Sequence, residues 1–121
     1  MTRILVVDDS NFARRTLRQT LERAGHSVIE ASSGMGALES FFLEQPELVL
    51  LDLTMEDMGG VEVLAQLREA GATVPVIVIS ADVQPSTEKI VRDAGANEFV
   101  GKPVTSENLL RAINDAVGAE R

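Results

Sequence analysis

Short apolar runs alternate with segments of helical periodicity along this chain, and the alternation leaves few folds open. Three uninterrupted runs of valine, isoleucine and leucine lie at residues 4–7, 48–51 and 76–79. Such runs are typical of strands that are buried on both faces of a parallel sheet. Two less apolar strands are predicted at residues 28–31 and 97–100, and the first of them is expected at a sheet edge. The pattern predicts a doubly wound α/β fold with five parallel strands and five helices.

The helical segments carry their own boundary signals. Ser10 can cap the first helix, and Pro85 suits the first turn of the fourth, where the amide hydrogen that proline lacks has no helical partner. The buried face of the second helix is predicted to consist of Leu38, Phe41 and Phe42. The buried face of the fourth is predicted to consist of Ile90, Val91 and Ala94. Because this last face is the thinnest, we expect the fourth helix to be the least firmly packed.

Length and composition exclude several classes of protein. With 121 residues and no visible linker, residues 1–121 are predicted to form one domain without a separate effector domain. The formal charge is 11 − 19 = −8, and negative charge repels phosphate backbones, so direct binding to nucleic acid is not expected. The absence of cysteine and the single histidine exclude disulfides and multi-histidine metal sites. No signal peptide or membrane span is visible, which predicts a cytoplasmic protein that does not bind membranes.

Polar side chains follow the predicted strands at the points where those strands end. They are Asp8 and Asp9 after the first strand, Asp52 after the third, Ser80 after the fourth and Lys102 after the fifth. In open α/β sheets, ligands bind outside the carboxyl ends of the strands. We therefore expect three carboxylates, a hydroxyl and an ammonium to converge on one edge of the sheet.

Charge restricts what this group of residues can do. Two carboxylates ~4 Å apart at an effective dielectric constant of ~20 repel by roughly 4 kcal/mol, so the cluster requires a cation. Oxygen ligands alone favour Mg²⁺ or Mn²⁺ over Zn²⁺. A carboxylate such as Asp52 can attack phosphorus, while a metal ion and Lys102 neutralise the phosphoryl charge. The residues therefore predict a magnesium-assisted aspartyl phosphorylation site.

With these residues in this order, the chain resembles the response-regulator receiver domain, the CheY-like phosphoacceptor module of two-component signalling, over essentially its whole length. The resemblance implies the flavodoxin-like strand order 2-1-3-4-5, which is that of CheY. It also implies that Asp52 is the phosphoacceptor, that Asp9 binds the metal ion directly and that Asp8 binds it mainly through water. Thr54 would add its backbone carbonyl to the metal site.

The resemblance also assigns roles to residues near the ends of the fourth and fifth strands. Ser80 and Lys102 would each bind a phosphoryl oxygen, and the peptide bond between Lys102 and Pro103 would be cis. Ser80 and Phe99 would act as the switch, with the hydroxyl moving toward the phosphoryl group and the phenyl ring turning into the vacated space. Phosphorylation would thereby change the face formed by the fourth helix, the fifth strand and the fifth helix.

Two positions in the loop after Asp52 depart from the family pattern. Glu56 stands where the family usually has proline, and Gly59 stands where it has aspartate or asparagine. Glu56 adds a negative charge near the metal site, and the pair Gly59-Gly60 is expected to cap the third helix more loosely. Thr54 and Asp82 occupy positions that tune dephosphorylation in such domains. The affinity for magnesium and the lifetime of the phosphorylated state therefore stay open.

The resemblance implies partner proteins at both ends of a signalling step. A sensor histidine kinase or phosphotransfer protein would donate the phosphoryl group from a phosphohistidine, and an output protein of unknown identity would bind the switched face. Control of motility ranks marginally ahead of a relay or adaptor role. A monomer, or a weak dimer that forms on phosphorylation, is expected.

Other interpretations of the residues lead to different functions. A phosphorylation-independent adaptor would leave the site unused, and a metal-dependent phosphohydrolase would turn over external phosphate esters without lasting label on Asp52. Binding of FMN is disfavoured, because Asp8 and Asp9 would repel the phosphate and the chain lacks tryptophan and tyrosine. The first helix has a basic side, interpreted as a solvated face or as a dock for an acidic partner, that consists of Arg14, Arg15, Arg18 and Arg23.

Overall fold

The fold is known from a computed structural model that describes residues 2–119; Met1, Glu120 and Arg121, which the predicted domain includes, lie outside the described residues. The strands are β1 (Arg3–Val7), β2 (Ser27–Ala31), β3 (Leu48–Asp52), β4 (Val76–Ser80) and β5 (Glu98–Gly101). The helices are α1 (Asn11–Arg23), α2 (Gly34–Glu44), α3 (Gly60–Glu69), α4 (Pro85–Asp93) and α5 (Ser106–Ala119). Within residues 2–119, no helix combines the length and the apolar character that crossing a lipid bilayer requires.

The strands form one sheet in the order β2-β1-β3-β4-β5, and every neighbouring pair is parallel. This order confirms the one that the family resemblance implies. In register, Val7 pairs with Leu51, and Leu51 pairs with Val78. Because all five strands run in the same direction, their carboxyl ends lie along one edge, where Asp52 ends β3 and Ser80 ends β4.

Two apolar layers cover the two faces of the sheet, which explains why the central strands are uninterrupted apolar runs. Alternate residues of each strand enter opposite layers, so that Ile4 packs on one face and Leu5 on the other. The first layer joins the sheet to α1 and α5, and its helical members include Leu17, Leu21, Leu109 and Ile113. The second joins it to α2, α3 and α4, and its helical members include Ala37, Val63, Leu64, Leu67 and Val91.

The boundary signals in the sequence act as predicted. Ser10 accepts a hydrogen bond at Oγ from the Ala13 backbone N–H at 3.2 Å and so caps α1. Pro85 is the first residue of α4. Gly25 follows the end of α1 at φ 92°, a left-handed conformation that glycine adopts without steric cost.

The prediction of burial is wrong for two residues, Phe42 and Ile90. Phe42 is 53% exposed and Ile90 is 56% exposed. Phe42 follows Phe41 in α2, and Ile90 precedes Val91 in α4; Phe41 and Val91 do face the sheet. Because a step of one residue turns a helical side chain by about 100°, their neighbours face away from it. Among the nine residues of α4, only Val91 is buried, so this helix has the small buried face that the sequence predicts.

Leu50→Ala is expected to lower the free energy of unfolding by about 3 kcal/mol, because Leu50 is fully buried in β3 and truncation leaves a cavity in a close-packed core. Denaturation followed by circular dichroism measures the change. Leu43→Ala is the matched control, since Leu43 is 74% exposed, and it should alter stability by no more than about 0.5 kcal/mol. Equal losses in the two variants would contradict this description of the core.

Candidate functional site

Three of the residues predicted to converge do meet at the carboxyl edge of the sheet. Asp8 follows β1, Asp52 ends β3 and Lys102 follows β5. The Nζ of Lys102 lies 3.5 Å from Oδ1 of Asp52 and 3.9 Å from Oδ2 of Asp8. Both carboxyl groups are buried, so the ammonium interacts with them in a medium that screens charge less than water does.

Asp9 completes a cluster of acids. One carboxylate oxygen from each of Asp8, Asp9 and Asp52 lies within 4.8 Å of the others, with Asp9 exposed and the other two buried. Together with Lys102, these groups carry a formal charge of −3 + 1 = −2. A set of oxygen donors with excess negative charge suits a hard divalent cation, so the residues present fit a metal ion of that kind.

Backbone hydrogen bonds fix the turn that carries the first two acids. The Asp8 carboxylate accepts a hydrogen bond at Oδ1 from the Ser10 backbone N–H at 2.8 Å. The Asp8 backbone N–H donates to the carbonyl of Ala31, at the end of the neighbouring strand β2, at 3.2 Å. The orientation of Asp8 is therefore set from both sides before any ion binds.

Burial raises the pKa of the Asp52 carboxyl above its ordinary value, and the charge of Asp8 raises it further. The Lys102 ammonium and a backbone hydrogen bond from Thr54 oppose this rise without cancelling it. The folded chain thus holds Asp52 in an environment where its negative charge is disfavoured. A cation bound beside it would relieve that cost.

Ser80 lies at the same edge, and its hydroxyl oxygen accepts a hydrogen bond from the turn that follows β4. Its side chain is buried, and Oγ accepts a hydrogen bond from the Asp82 backbone N–H at 2.9 Å. The Asp82 carboxylate in turn accepts hydrogen bonds from the Gln84 backbone N–H at 3.1 Å and from the Thr87 hydroxyl at 2.7 Å. These contacts connect the end of β4 to the first turn of α4.

The other predicted site residues lie outside the cluster of carboxylates. Thr54 and Glu56 are exposed in the loop after β3, and Glu56 is not a member of the cluster of three carboxylates. The peptide bond between Lys102 and Pro103 is cis. Phe99 is half-buried and packs against the apolar layer that contains Val91 of α4.

The loop after β3 has two structural residues that the sequence interpretation did not identify. The Asp57 carboxylate accepts hydrogen bonds from the backbone N–H groups of Gly34 and Met35 at 2.9 and 3.0 Å, and the first of these is the main reason why its pKa is lowered. Gly60 packs so closely that a Cβ there would lie 2.7 Å from the backbone oxygen of Asp52. The glycine pair at 59–60 was a signal for such close packing, whereas no local pattern links Asp57 to residues more than 20 positions away.

Arg14 corrects the prediction that the basic side of α1 is a solvated face. Its side chain is only 13% exposed, and its guanidinium forms an ion pair with Glu30 of β2 at 3.1 Å. Arg18 also pairs with Glu30, while Arg15 is exposed. The prediction is therefore wrong for Arg14, because a long side chain on α1 reaches the neighbouring strand.

Comparison with known proteins identifies the family. The family model described as the response regulator receiver domain matches residues 4–114. The chain belongs to this family. Among curated relatives, the transcriptional regulatory protein KdpE of Mycobacterium tuberculosis is 42% identical over 117 residues, which cover 97% of this chain and 51% of the relative. The chain thus spans about half the length of KdpE.

Solved structures agree with this assignment. A CheY-like response regulator receiver domain protein from Methanospirillum hungatei is 27% identical with a TM-score of 0.92, and the match covers 99% of this chain and 96% of that one. The CheX–CheY–BeF3–Mg²⁺ complex from Borrelia burgdorferi contains a chain 28% identical with a TM-score of 0.92, matched over 96% of this chain and 89% of that one. This receiver domain therefore has the CheY-like, flavodoxin-like fold of a family that acts as signalling switches in two-component systems rather than as conventional enzymes.

Asp52→Asn is expected to stabilise the metal-free receiver domain at neutral pH, because the raised pKa of Asp52 means that its charged form disfavours the folded state. This gain in stability is full above the pKa of Asp52 in the folded state and shrinks as the pH falls through that value. It vanishes below the pKa of about 4 that the carboxyl has in the unfolded chain. Urea unfolding in EDTA at several pH values measures the difference. Asp115→Asn, at an exposed acid of α5 outside the cluster, is the control. A less stable Asp52→Asn chain at neutral pH would contradict the electrostatic description.

Proposed function

We propose that this receiver domain accepts a phosphoryl group on Asp52, from a phosphohistidine of a sensor histidine kinase or phosphotransfer protein, in a reaction that requires Mg²⁺ or Mn²⁺. The observation that carries the proposal is that Lys102 Nζ lies 3.5 Å from Asp52 Oδ1, beside carboxylate oxygens that lie within 4.8 Å of one another. A nucleophile, a fixed cation and the ligands for a second cation thus occupy one place.

Asp52 acts as the nucleophile in this proposal. One of its carboxylate oxygens attacks phosphorus, the phosphorus–nitrogen bond of the phosphohistidine breaks, and the imidazole leaves with the electron pair. The product is an acyl phosphate on Asp52. Lys102 pairs with Asp52 Oδ1 in the unphosphorylated chain, and after transfer its ammonium is placed to pair with a phosphoryl oxygen instead.

The acidic cluster supplies the metal ligands. Asp9, Asp52 and the Thr54 backbone carbonyl would hold Mg²⁺ directly, and Asp8 mainly through water. Bound there, the ion neutralises and orients the transferred phosphoryl group. Support comes from the all-oxygen donor set, its excess negative charge and the relative from Borrelia burgdorferi whose solved complex includes BeF3 and Mg²⁺.

Ser80 and Phe99 transmit the change in this proposal. The Ser80 hydroxyl moves toward a phosphoryl oxygen, and this movement takes its oxygen away from the Asp82 backbone N–H, from which it now accepts a hydrogen bond. Loss of that hydrogen bond loosens a turn that Asp82 ties to Thr87 in α4. The Phe99 ring, half-buried beside the layer that contains Val91, then turns toward the space that Ser80 vacates.

The face formed by α4, β5 and α5 is the output surface. Of the residues in α4, only Val91 is buried, so few apolar contacts resist a shift of this helix. Ile90 adds an exposed apolar side chain to the same region. A partner protein that binds one arrangement of this face better than the other reads the phosphorylation state.

In this proposal, Thr54, Glu56 and Asp82 set how long the signal lasts. Thr54 and Glu56 are exposed in the loop after β3, and Asp82 follows Ser80 by two residues. Glu56 adds negative charge to this loop and so bears on both the affinity for Mg²⁺ and the lifetime of the phosphorylated state. Access of water to the acyl phosphate past Thr54 and Asp82 would set the rate of its hydrolysis.

The cellular setting follows from the same proposal. A receiver domain that takes its phosphoryl group from a histidine kinase works in the cytoplasm, where the kinase is supplied with ATP. We infer a monomer in the unphosphorylated state, with weak dimerisation through the output surface after phosphorylation. Nucleic acid is not a direct ligand of residues 1–121, because their formal charge is −8.

Acetyl phosphate with Mg²⁺ should add the mass of one phosphoryl group to the wild-type chain, and none to Asp52→Asn, because the acceptor carboxylate is absent. Intact-mass spectrometry measures the label. EDTA should abolish it, and Asp9→Asn should reduce it by about tenfold or more through loss of a metal ligand. Asp115→Asn, at an exposed acid on α5, should be labelled like the wild type.

Two outcomes would contradict the proposed phosphorylation. Full labelling of Asp52→Asn would show that another residue is the acceptor. Steady release of phosphate from a small phosphate ester, with no label remaining on the chain, would favour a metal-dependent phosphohydrolase.

Ser80→Ala should uncouple phosphorylation from the output surface. With BeF3 and Mg²⁺, the wild type should show amide NMR shifts both around Asp52 and in α4, whereas Ser80→Ala should keep the first set and lose about half or more of the second. Thr87→Val should show an intermediate effect, because it removes only the hydrogen bond to Asp82. Thr16→Val, which removes an exposed hydroxyl on α1, is the control. Undiminished shifts in α4 of Ser80→Ala would contradict this route.

A further inference from the structure

The guanidinium of Arg14 donates hydrogen bonds to three residues: one in the acidic turn after β1, one in β2 and one at the start of its own helix. Its Nη1 donates a hydrogen bond to the backbone carbonyl of Asp8 at 2.6 Å. Its Nε donates to Oε1 of Glu30 in β2 at 3.1 Å, and its Nη2 donates to the Asn11 side chain at the start of α1. The side chain is mostly buried, so water competes little for these donors.

The peptide bond that Arg14 holds is the one that joins Asp8 to Asp9. Both carboxylates of this turn belong to the acidic cluster, and their directions depend on the orientation of that peptide unit. The Arg14 side chain therefore restrains two of the three acids without contacting either carboxylate. A guanidinium suits this task, because its planar donors point in fixed directions and can reach three acceptors at once.

The charge of Arg14 is balanced away from the cluster. Glu30 accepts hydrogen bonds from both Arg18 and Arg14, and these lower the pKa of its carboxyl. Arg18 pairs also with Glu22, so two guanidinium groups face two carboxylates. Glu30 thus fixes the guanidinium of Arg14 and neutralises charge that would otherwise repel a cation in the cluster nearby.

We propose that Arg14 is a positioning residue for the metal site: together with Glu30 it orients the Asp8–Asp9 peptide, and so sets the affinity of the receiver domain for Mg²⁺. The inference rests on the proposed function, in which these acids bind the ion. It assigns a functional task to a residue of the basic side of α1, outside the metal ligands themselves. Partners that orient metal ligands typically change affinity by about 10–100-fold when they are removed.

Charge and geometry predict opposite results for Arg14→Ala, which makes the proposal testable. Removal of a positive charge near the cluster would by itself strengthen the binding of a cation. Loss of the hydrogen bond to the Asp8 carbonyl would weaken it. We expect the dissociation constant for Mg²⁺, measured by calorimetry at fixed ionic strength, to rise about tenfold in Arg14→Ala.

Matched variants separate positioning from general destabilisation. Arg15→Ala removes an exposed neighbouring guanidinium of α1 and should bind Mg²⁺ like the wild type. Arg14→Lys keeps the charge but not the fork of donors, and should recover only part of the affinity. Glu30→Gln leaves Arg14 in place without its counter-charge, and a smaller rise of a few-fold is expected. Arg14→Lys also serves as the test if Arg14→Ala does not fold, because it changes the donor geometry and leaves the charge unchanged.

A second readout needs no metal ion. The Ser10 backbone N–H donates to Asp8 Oδ1 at 2.8 Å and reports on the orientation of that carboxylate. In EDTA, hydrogen exchange of the Ser10 amide, measured by NMR, should be faster in Arg14→Ala than in Arg15→Ala. If Arg14 had a purely structural role, Arg14→Ala would lower the free energy of unfolding. The exchange rate of the Ser10 amide and the Mg²⁺ affinity of the folded chain would then be unchanged.

The outcomes distinguish this inference from the proposed function. If the wild type binds Mg²⁺ and is phosphorylated but Arg14→Ala, or Arg14→Lys in its place, binds Mg²⁺ as tightly or more tightly, the positioning role is wrong and the proposed function stands. If the wild type does not bind Mg²⁺, the proposed function fails and takes the metal part of the inference with it. An unchanged Ser10 exchange rate in Arg14→Ala overturns the inference whether or not the ion binds.

Discussion

Mutually repelling carboxylates are held at one edge of a parallel sheet, with the Lys102 ammonium beside two of them. Asp8 and Asp52 are buried, and the raised pKa of Asp52 shows that the fold keeps its charge in an unfavourable place. The packed core on both faces of the sheet supplies the stability that this arrangement requires. Because the site carries excess negative charge without a metal ion, binding of a cation would stabilise it. The electrostatics of the site therefore agree with the chemistry proposed for it.

The elements around this site divide into a firmly held part and a loosely held part. The Asp8 carboxylate is oriented by Ser10, and the backbone of Asp52 is approached closely by Gly60. On the other side, Ser80 and Asp82 connect the sheet to α4, a helix that buries Val91 alone among its residues. Firmly held acids suit the proposed phosphorylation, which depends on positioning, whereas a lightly packed helix suits the proposed output surface, which must change. The proposed function thus places the reaction at one edge of this small domain and the response at another.

Much of this architecture can be predicted from the sequence, because its determinants are local or topological. Apolar runs predict the strands, and Ser10 and Pro85 mark helix starts through contacts within a turn. Once the sheet is parallel, the residues that follow its strands must share an edge, so the meeting of Asp8, Asp52 and Lys102 follows from their places in the chain. The strand order itself came from a family resemblance, since the apolar pattern alone does not specify which strands are neighbours.

The sequence by itself determined the elements, their parallel arrangement and the acids at the end of the sheet. Only the tertiary structure decided that Arg14 turns inward to Glu30, and that the Asp57 carboxylate binds the first turn of α2. It also decided that Phe42 faces outward. Residues far apart in the chain form these ion pairs and hydrogen bonds, and their long side chains can reach several acceptors. Local periodicity fixes the direction of a side chain only to within one step of a helix, and the choice among acceptors depends on which surfaces pack together.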